Sequence, residues 1–284
     1  MTDDWTAADA ASLLRKPTAS DDKYSRGVLG VRTGSERYPG AAVLGVEAAW
    51  RTGIGMVRYL GGARPTALVL ARRPETVAAD GRVQAWLVGS GTDAAERSPA
   101  ETATLRGLLA GELPVVVDAG ALDLAPAASA PLVVTPHAGE FGRLRAALGL
   151  PDADSADPAD PGAVAETAAR LGGTVLRKGA LTVVATPDGA VRTVAAPTPW
   201  LATAGTGDVL GGVLGTLVAG AAAAREREGG RLDAADLGPL AATAAWLHGH
   251  AAAAAVERAG GGPVTALDVA EALPGVVGAL LRHG

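Results

Sequence analysis

The stretch Ala202-Thr203-Ala204-Gly205-Thr206-Gly207-Asp208-Val209-Leu210-Gly211-Gly212-Val213-Leu214-Gly215 carries two instructions at once. Gly205, Thr206 and Gly207 let several backbone N–H groups close on an anion, and the small and aliphatic run from Val209 onward reads as a buried helix. A glycine loop feeding a helix N-terminus is a phosphate seat. Asp208 is out of place in a loop that only holds an anion, because bound phosphate repels its carboxylate. It reads instead as a base that takes a proton from a hydroxyl being phosphorylated. The plainer alternative is a glycine-rich turn that starts a packed helix, with Asp208 an acid favoured by the helix dipole.

Working back from that stretch, Thr174 to Arg177 and Leu181 to Ala185 read as strands around a Lys178-Gly179-Ala180 turn. Pro187-Asp188-Gly189 is a hairpin turn into a strand from Val191 to Val194. Further upstream, the runs at Val28 to Arg32, Met56 to Leu60, Ala67 to Leu70, Ala85 to Val88, Pro114 to Asp118 and Pro131 to Thr135 have the short, continuous apolar character of buried strands. Between them, helices are expected from Pro39 to Trp50, closed by Gly53, from Pro99 to Leu109 with Ser98 as cap, and from Ala163 to Leu171. Pro151 to Pro161 has no periodicity and reads as a surface loop. Downstream, Gly207 to Ala224, Asp233 to Arg258 and Ala266 to Leu281 are helical. The expected fold is therefore α/β, a three-layer α/β/α sandwich with a mainly parallel central sheet, in one domain over residues 1–284. Ligands in such a fold gather at the carboxyl ends of the strands.

Composition excludes several function classes. The 284 residues are 48% hydrophobic with a net charge of −5, which supplies a core and argues against nucleic acid or an acidic membrane as partner. There is no cysteine, so disulfides and thiolate metal sites are out. The N-terminus Met1-Thr2-Asp3-Asp4-Trp5 is acidic where a signal peptide is basic and then apolar, and a cytoplasmic location is expected. No metal-ligand cluster is evident; His248 and His250 stand two apart on a helix and point to different faces.

Four loops fall at expected strand ends: Thr33 to Ala41, Gly89 to Thr92, Asp118 to Leu122 and Pro136 to Glu140. His137 either binds a substrate amide, ribose or phosphate, or pins its own loop through the ring. Asp118 either caps the next helix, the reading slightly favoured, or faces the site. Lys178 reads as a phosphate-reaching cation, with Thr182 beside it on the next strand, or as a solvated charge.

Taken together, Lys23-Tyr24-Ser25-Arg26-Gly27, Gly34-Ser35 with Tyr38-Pro39-Gly40-Ala41, Asp118-Ala119-Gly120-Ala121-Leu122, Thr135-Pro136-His137-Ala138-Gly139-Glu140, Lys178-Gly179 and Gly205-Thr206-Gly207-Asp208 resemble the ADP-dependent (S)-NAD(P)H-hydrate dehydratase family of the ribokinase-like superfamily. The motifs run in the same order from Lys23 to the helix containing His248. The chain departs from the family at Thr33, where Gly is frequent, and lacks a Pro between Gly89 and Gly91. It begins shortly before the first match, so the epimerase domain fused to some members is not expected.

The resemblance implies ADP-dependent dehydration of the S form of hydrated NADH or NADPH, giving AMP and phosphate, a repair of damaged cofactor. It places Ala41, Gly91, His137 and Asp208 against the hydrated dinucleotide. Lys178, Gly179, Ala180, Leu181, Thr182 and Gly207 lie against ADP or AMP, with Gly205, Thr206, Gly207 and Asp208 as the catalytic loop. Magnesium is expected with the phosphates, held by water and phosphate oxygens more than by protein. A homo-oligomer, dimer or tetramer, is also implied, with helix 233–258 as its candidate contact. A kinase for a small alcohol, such as a vitamin precursor, is the alternative reading. A nucleotide sensor without activity is a further one, against which Asp208 argues.

Overall fold

A computed structural model describes residues 2–151 and 160–283, so most of the expected loop from Pro151 to Pro161 lies outside the described residues. The chain runs β1 (Thr2–Asp4), α1 (Ala7–Ser12), β2 (Val28–Arg32), α2 (Gly40–Thr52), β3 (Met56–Tyr59), α3 (Ala63–Arg72), β4 (Ala85–Val88), α4 (Pro99–Leu109) and β5 (Val115–Val117). After a 3₁₀ segment, Ala119–Ala127, come β6 (Leu132–Val134), α5 (Ala138–Ala147), α6 (Pro161–Leu171), β7 (Thr174–Arg177), β8 (Leu181–Ala185) and β9 (Val191–Ala195). Three long helices close it: α7 (Thr206–Arg227), α8 (Leu237–Arg258) and α9 (Ala266–His283).

The nine strands form one sheet in the order β1-β9-β8-β7-β6-β5-β4-β2-β3. Only the pairs β7 with β8 and β8 with β9 are antiparallel, the second turned by Pro187-Asp188-Gly189 with Gly189 at φ 90°. The central strands alternate strictly between two cores. Leu87, Val116, Val133 and Leu176 face the layer of α2, α7, α8 and α9, whereas Val88, Val115, Val117, Leu132, Val134 and Val175 face α4, α5 and α6. A period of two with both faces apolar is what a parallel sheet covered on both sides requires, and it makes the molecule three-layered as expected.

Small residues let the helical layer close. A Cβ on Gly212 would stand 2.1 Å from the carbonyl oxygen of Gly45 on α2, and one on Gly215 would stand 2.8 Å from Leu29 on β2. Helix α7 is long and apolar enough by composition to cross a membrane, with a mean hydropathy of 1.5, but 67% of that window is buried inside the fold. Its apolarity serves the core.

One local reading is corrected, and one element was not anticipated. Ala67 to Leu70 is not a strand but lies within α3, where Gly62 precedes the first turn and Pro65 sits inside it. Val69 and Pro65, four apart, are buried while Leu68 is 42% exposed, a helical spacing that four apolar residues in a row conceal. The polar N-terminus is also structured. Thr2–Asp4 pairs in parallel with β9, and the Trp5 indole Nε1–H donates to Thr243 Oγ1 at 3.1 Å. By contrast, Ser98 caps α4 as expected, accepting from the Glu101 N–H at 3.1 Å, and Gly53 ends α2 at φ 103°.

Most small residues of α8 are used within the chain. Ala241, Ala242, Ala244, Ala251 and Ala252 are fully buried. What α8 leaves at the surface, including Trp246, His250 and Ala254, lines an apolar groove with α1 and α9. His250 stacks on Trp246 at 3.6 Å between ring centroids while His248 is buried, so the two histidines do face apart.

Candidate functional site

The carboxyl ends of β2, β4, β5, β6 and β7 point to one edge of the sheet, and the N-terminus of α7 arrives there from the far end of the chain. Gly205 is the residue before α7, at φ 89°; a Cβ would strike Leu44 at 2.6 Å, so both backbone and space demand glycine. Thr206 Oγ1 donates back to the carbonyls of Leu201 and Thr203 at 2.8 and 2.9 Å, which locks the loop. No side chain caps this helix. Its first N–H groups therefore face the site with the positive end of the helix dipole, as an anion seat requires.

Asp208 stands in the first turn of α7, half-buried. Burial pushes its carboxyl up to about 7, the charge of Asp118 adds to the effect, and Lys178 partly offsets it. A carboxyl titrating near neutrality is suited to taking a proton at cellular pH. Lys178 is the cation of the site. Its Nζ donates to Asp118 Oδ1 at 2.8 Å and lies 3.9 Å from Glu140 Oε2. Burial works against its charge, but Asp118 with Glu140 and Asp208 outweighs it and holds the ammonium above its usual range. A Cβ on Gly207 would be 3.6 Å from the same Nζ, so the lysine stands directly against the glycine loop.

Asp118 does not cap the 3₁₀ segment that follows it. It is 3% exposed and accepts from Lys178, from Thr135 Oγ1 at 2.8 Å and from Ser90 Oγ at 2.9 Å. The ends of β4, β5, β6 and β7 are tied through this one carboxylate. The next residue, Ala119, is the sole non-glycine at positive φ, 45°, among the described residues.

Two cavities lie at this edge of the sheet. One, of about 570 Å³, is lined by Lys178, Gly179, Ala180, Thr182, Thr206 and Gly207 along with apolar side chains and His248. The other, of about 410 Å³, is lined by Thr33, Gly34, Gly89 and Thr92 together with Arg32, Arg37, Arg97 and acidic partners. Among the described residues, the buried side-chain polar atoms without a protein partner are Thr33 Oγ1, Arg192 Nη1 and His248 Nε2. Two of these three line the two cavities. Among the described residues no group of three His, Cys, Asp or Glu side chains is arranged to hold a metal ion.

Residues 29–275 match the family model described as NAD(P)H-hydrate dehydratase. The chain belongs to this family. It is 35% identical over 276 residues to the ADP-dependent (S)-NAD(P)H-hydrate dehydratase of Neisseria meningitidis, covering 90% of this chain and 86% of that one. It is 47% identical over 227 residues to the bifunctional NAD(P)H-hydrate repair enzyme Nnr of Mycobacterium tuberculosis, covering 76% of this chain but 46% of that protein. The chain thus spans about half the length of that relative. Among solved structures, the ADP/ATP-dependent NAD(P)H-hydrate dehydratase of Bacillus subtilis, co-crystallised with ATP/Mg2+, superposes with a TM-score of 0.81 at 25% identity over 98% of this chain and 99% of that one. The fold is ribokinase-like.

Within this NAD(P)H-hydrate dehydratase fold, the residues singled out from sequence fall into three places. Gly205, Thr206, Gly207, Asp208 and Lys178 meet at the junction. Gly179, Ala180 and Thr182 line the larger cavity, while Leu181 at the start of β8 is 37% exposed and does not line it. Ala41 and Gly91 meet on the other side, where a Cβ on Gly91, at φ 65°, would be 2.3 Å from the Ala41 Cβ. His137 precedes α5 as its cap, with Nδ1 accepting from the Gly139 N–H at 3.1 Å and Nε2 3.5 Å from Glu140 Oε1. The ring therefore pins its own loop, and its side chain is 58% exposed. Sequence reasoning did not single out Ser90, Thr135 or Glu140 as members of the site, and for Asp118 it slightly favoured a cap over the site. The available signal was position: Ser90, Asp118 and Thr135 come within two residues of a strand end of the parallel sheet, and Glu140 is in the first turn of the helix after β6.

Proposed function

We propose that this chain is an ADP-dependent dehydratase that returns the S epimer of hydrated NADH and NADPH to the intact cofactor, releasing AMP and phosphate. The names carried by the Neisseria and Bacillus relatives support this reading. The observation that carries it is Asp208, poised near neutrality on an uncapped helix N-terminus whose Thr206 and Gly207 line a cavity with Lys178.

ADP occupies the cavity of Lys178, Gly179, Thr182 and Gly207, its terminal phosphate on the N–H groups of α7 and beside the Lys178 ammonium. The hydrated nicotinamide enters from the side of Ala41, Gly91 and His137. Asp208 removes the proton of the ring hydroxyl as the hydroxyl oxygen attacks the terminal phosphorus of ADP, and the bond to the AMP oxygen breaks. Hydroxide, a poor leaving group, is thereby converted to phosphate. The ring nitrogen's electron pair expels it with the former hydroxyl oxygen, and loss of a proton from the adjacent carbon restores the double bond. Negative charge growing on the transferring phosphoryl is met by Lys178 and the helix N-terminus.

Asp118 and Glu140, the carboxylates around Lys178, are already engaged with Lys178 and His137. A magnesium ion arriving with the nucleotide would be held chiefly by the nucleotide and water rather than by these carboxylates, and would neutralise phosphate charge.

Incubating the protein with hydrated NADPH and ADP tests the reading: the absorbance of the reduced nicotinamide returns in step with AMP and phosphate. No recovery, with stable phosphorylation of a small alcohol by ATP instead, replaces it with the kinase reading. We further propose a homo-oligomer in solution; light scattering that gives a mass near 28.0 kDa across the micromolar range removes that proposal.

A further inference from the structure

His248 takes no part in the chemistry above, yet it is placed as if for a ligand. It sits on α8, 7% exposed, and lines the larger cavity beside Thr206 and Gly207. Its ring hydrogen-bonds the backbone of Thr206, a contact that favours the protonated ring, as a carbonyl acceptor does. Nε2 has no protein partner, so Nδ1 is the atom engaged, and because a carbonyl only accepts, Nδ1 carries the hydrogen. Burial pushes the imidazole down to about 4, and the Lys178 charge acts in the same direction, so the ring is neutral at pH 7. A neutral imidazole with its hydrogen on Nδ1 presents a bare lone pair at Nε2. The cavity thus contains a buried, oriented and unused acceptor, and such a group is costly until a donor reaches it.

Phosphate oxygens are acceptors and cannot supply that donor. The rest of the cavity is walled by Val194, Pro199, Leu201, Leu210 and Ala245, which suit the faces of a nucleoside. Thr206, to which the ring is tied, is the first residue of α7, so Nε2 lies close to the phosphate seat. In a nucleotide the donors nearest the phosphates are the ribose hydroxyls.

We propose that His248 is the ribose-reading residue of this cavity, its Nε2 accepting a hydrogen bond from the 2′- or 3′-hydroxyl of the bound nucleotide. The proposal rests on the reading of this cavity as the ADP site. It also means that the α7 N-terminus and the ribose are sensed through one side chain, since Nδ1 holds Thr206 while Nε2 holds the sugar.

Titration calorimetry with ADP, 2′-deoxy-ADP and 3′-deoxy-ADP, on the parent, His248→Leu and His248→Gln, tests it without using turnover. We expect His248→Leu to weaken ADP by about ten- to hundredfold, the cost of leaving a nucleotide donor buried without a partner. One of the deoxy nucleotides should lose a similar factor on the parent and nothing further on the leucine variant. His248→Gln, whose Oε1 also accepts, should keep most of the affinity. Thermal unfolding without nucleotide should place His248→Leu at or above the parent, separating lost recognition from lost structure.

Equal ADP affinity in parent and leucine variant overturns the proposal, as does a deoxy penalty that persists undiminished in that variant. Should His248→Leu not fold, the parent decides alone: equal affinity for all three nucleotides overturns it. A parent that binds ADP with this pattern but never restores the cofactor leaves the inference standing and removes the dehydratase reading; a parent blind to ADP removes both.

Discussion

The two cavities at the carboxyl edge of the sheet are built differently. The larger is framed by the β7–β8–β9 hairpins, α7 and α8, elements held by sheet hydrogen bonds and a buried helical layer, and its walls are largely apolar. The smaller is framed by loops after β2 and β4 and by the start of α4, and ion pairs join residues of its wall: Arg32 with Glu101 at 2.5 Å and Arg37 with Glu96 at 3.1 Å. A rigid apolar slot recognises a flat nucleoside by shape and a few oriented polar atoms. A charged, loop-built cleft discriminates through ion pairs that a ligand must displace or join. The junction of Asp208, Lys178 and Asp118 stands apart from the linings, with only Lys178 on the wall of the larger cavity, so changes there should be large and changes within either cavity should affect one ligand.

Asp208→Asn carries the largest expected effect. Turnover should fall about 10²- to 10⁴-fold, the usual cost of removing a general base, while ADP binds at least as well because a repelled carboxylate is gone. Stability should move the other way. The folded carboxyl is raised from 3.8 to about 7, so the parent holds its full stability below pH 3.8 and loses part of it as pH rises through 7. The asparagine variant should unfold at a higher temperature than the parent in alkaline buffer and show no such advantage near pH 4. A variant retaining more than about a tenth of the parent rate removes Asp208 as the base.

Changes at Lys178 and Asp118 sharpen the junction. Lys178→Ala should raise the apparent ADP requirement about ten- to hundredfold, the scale of a lost charge-assisted contact to phosphate. The two substitutions should also shift the acid limb of kcat/KM, near pH 7 in the parent, in opposite directions. Loss of the Lys178 charge moves the limb to higher pH, and Asp118→Asn, which removes a neighbouring negative charge, moves it to lower pH. A limb unmoved by either substitution assigns the titration to another group.

At the cap of α5, His137→Ala should raise the requirement for the hydrated cofactor only a few-fold and leave that for ADP unchanged, because the ring is already committed to Gly139. Its loss as a cap should cost about 0.5–2 kcal/mol in denaturant unfolding. The smallest effect belongs to Arg37→Ala. Both partners of its ion pair are more than half exposed, so unfolding free energy should change by less than about 1 kcal/mol. A larger change means that this loop is braced by more than its surface charges.

Legibility followed locality. Pro99–Leu109 could be placed from Ser98 and the proline, because the capping signals sit beside the helix they start. Ala67 to Leu70 failed because four apolar residues carry no period, and Thr2–Asp4 failed because polar edge residues become a strand only when β9 is there to pair with. In the site, the anion loop and Asp208 were readable as one contiguous motif. Asp118 was not, since its partners Ser90, Thr135 and Lys178 lie 28, 17 and 60 residues away.

Taken alone, the sequence determined the alternation of strands and helices, the glycine loop and the identity of the acid on it, because backbone freedom and hydrophobic period are properties of neighbouring residues. Only the tertiary structure decided what that acid is. Asp208 becomes a base poised near neutrality through burial and through the charges of Asp118 and Lys178, all supplied by distant strand ends. The same holds for Asp118 and His248, whose roles are set by packing that removes water and leaves each polar atom dependent on partners the fold brings to it.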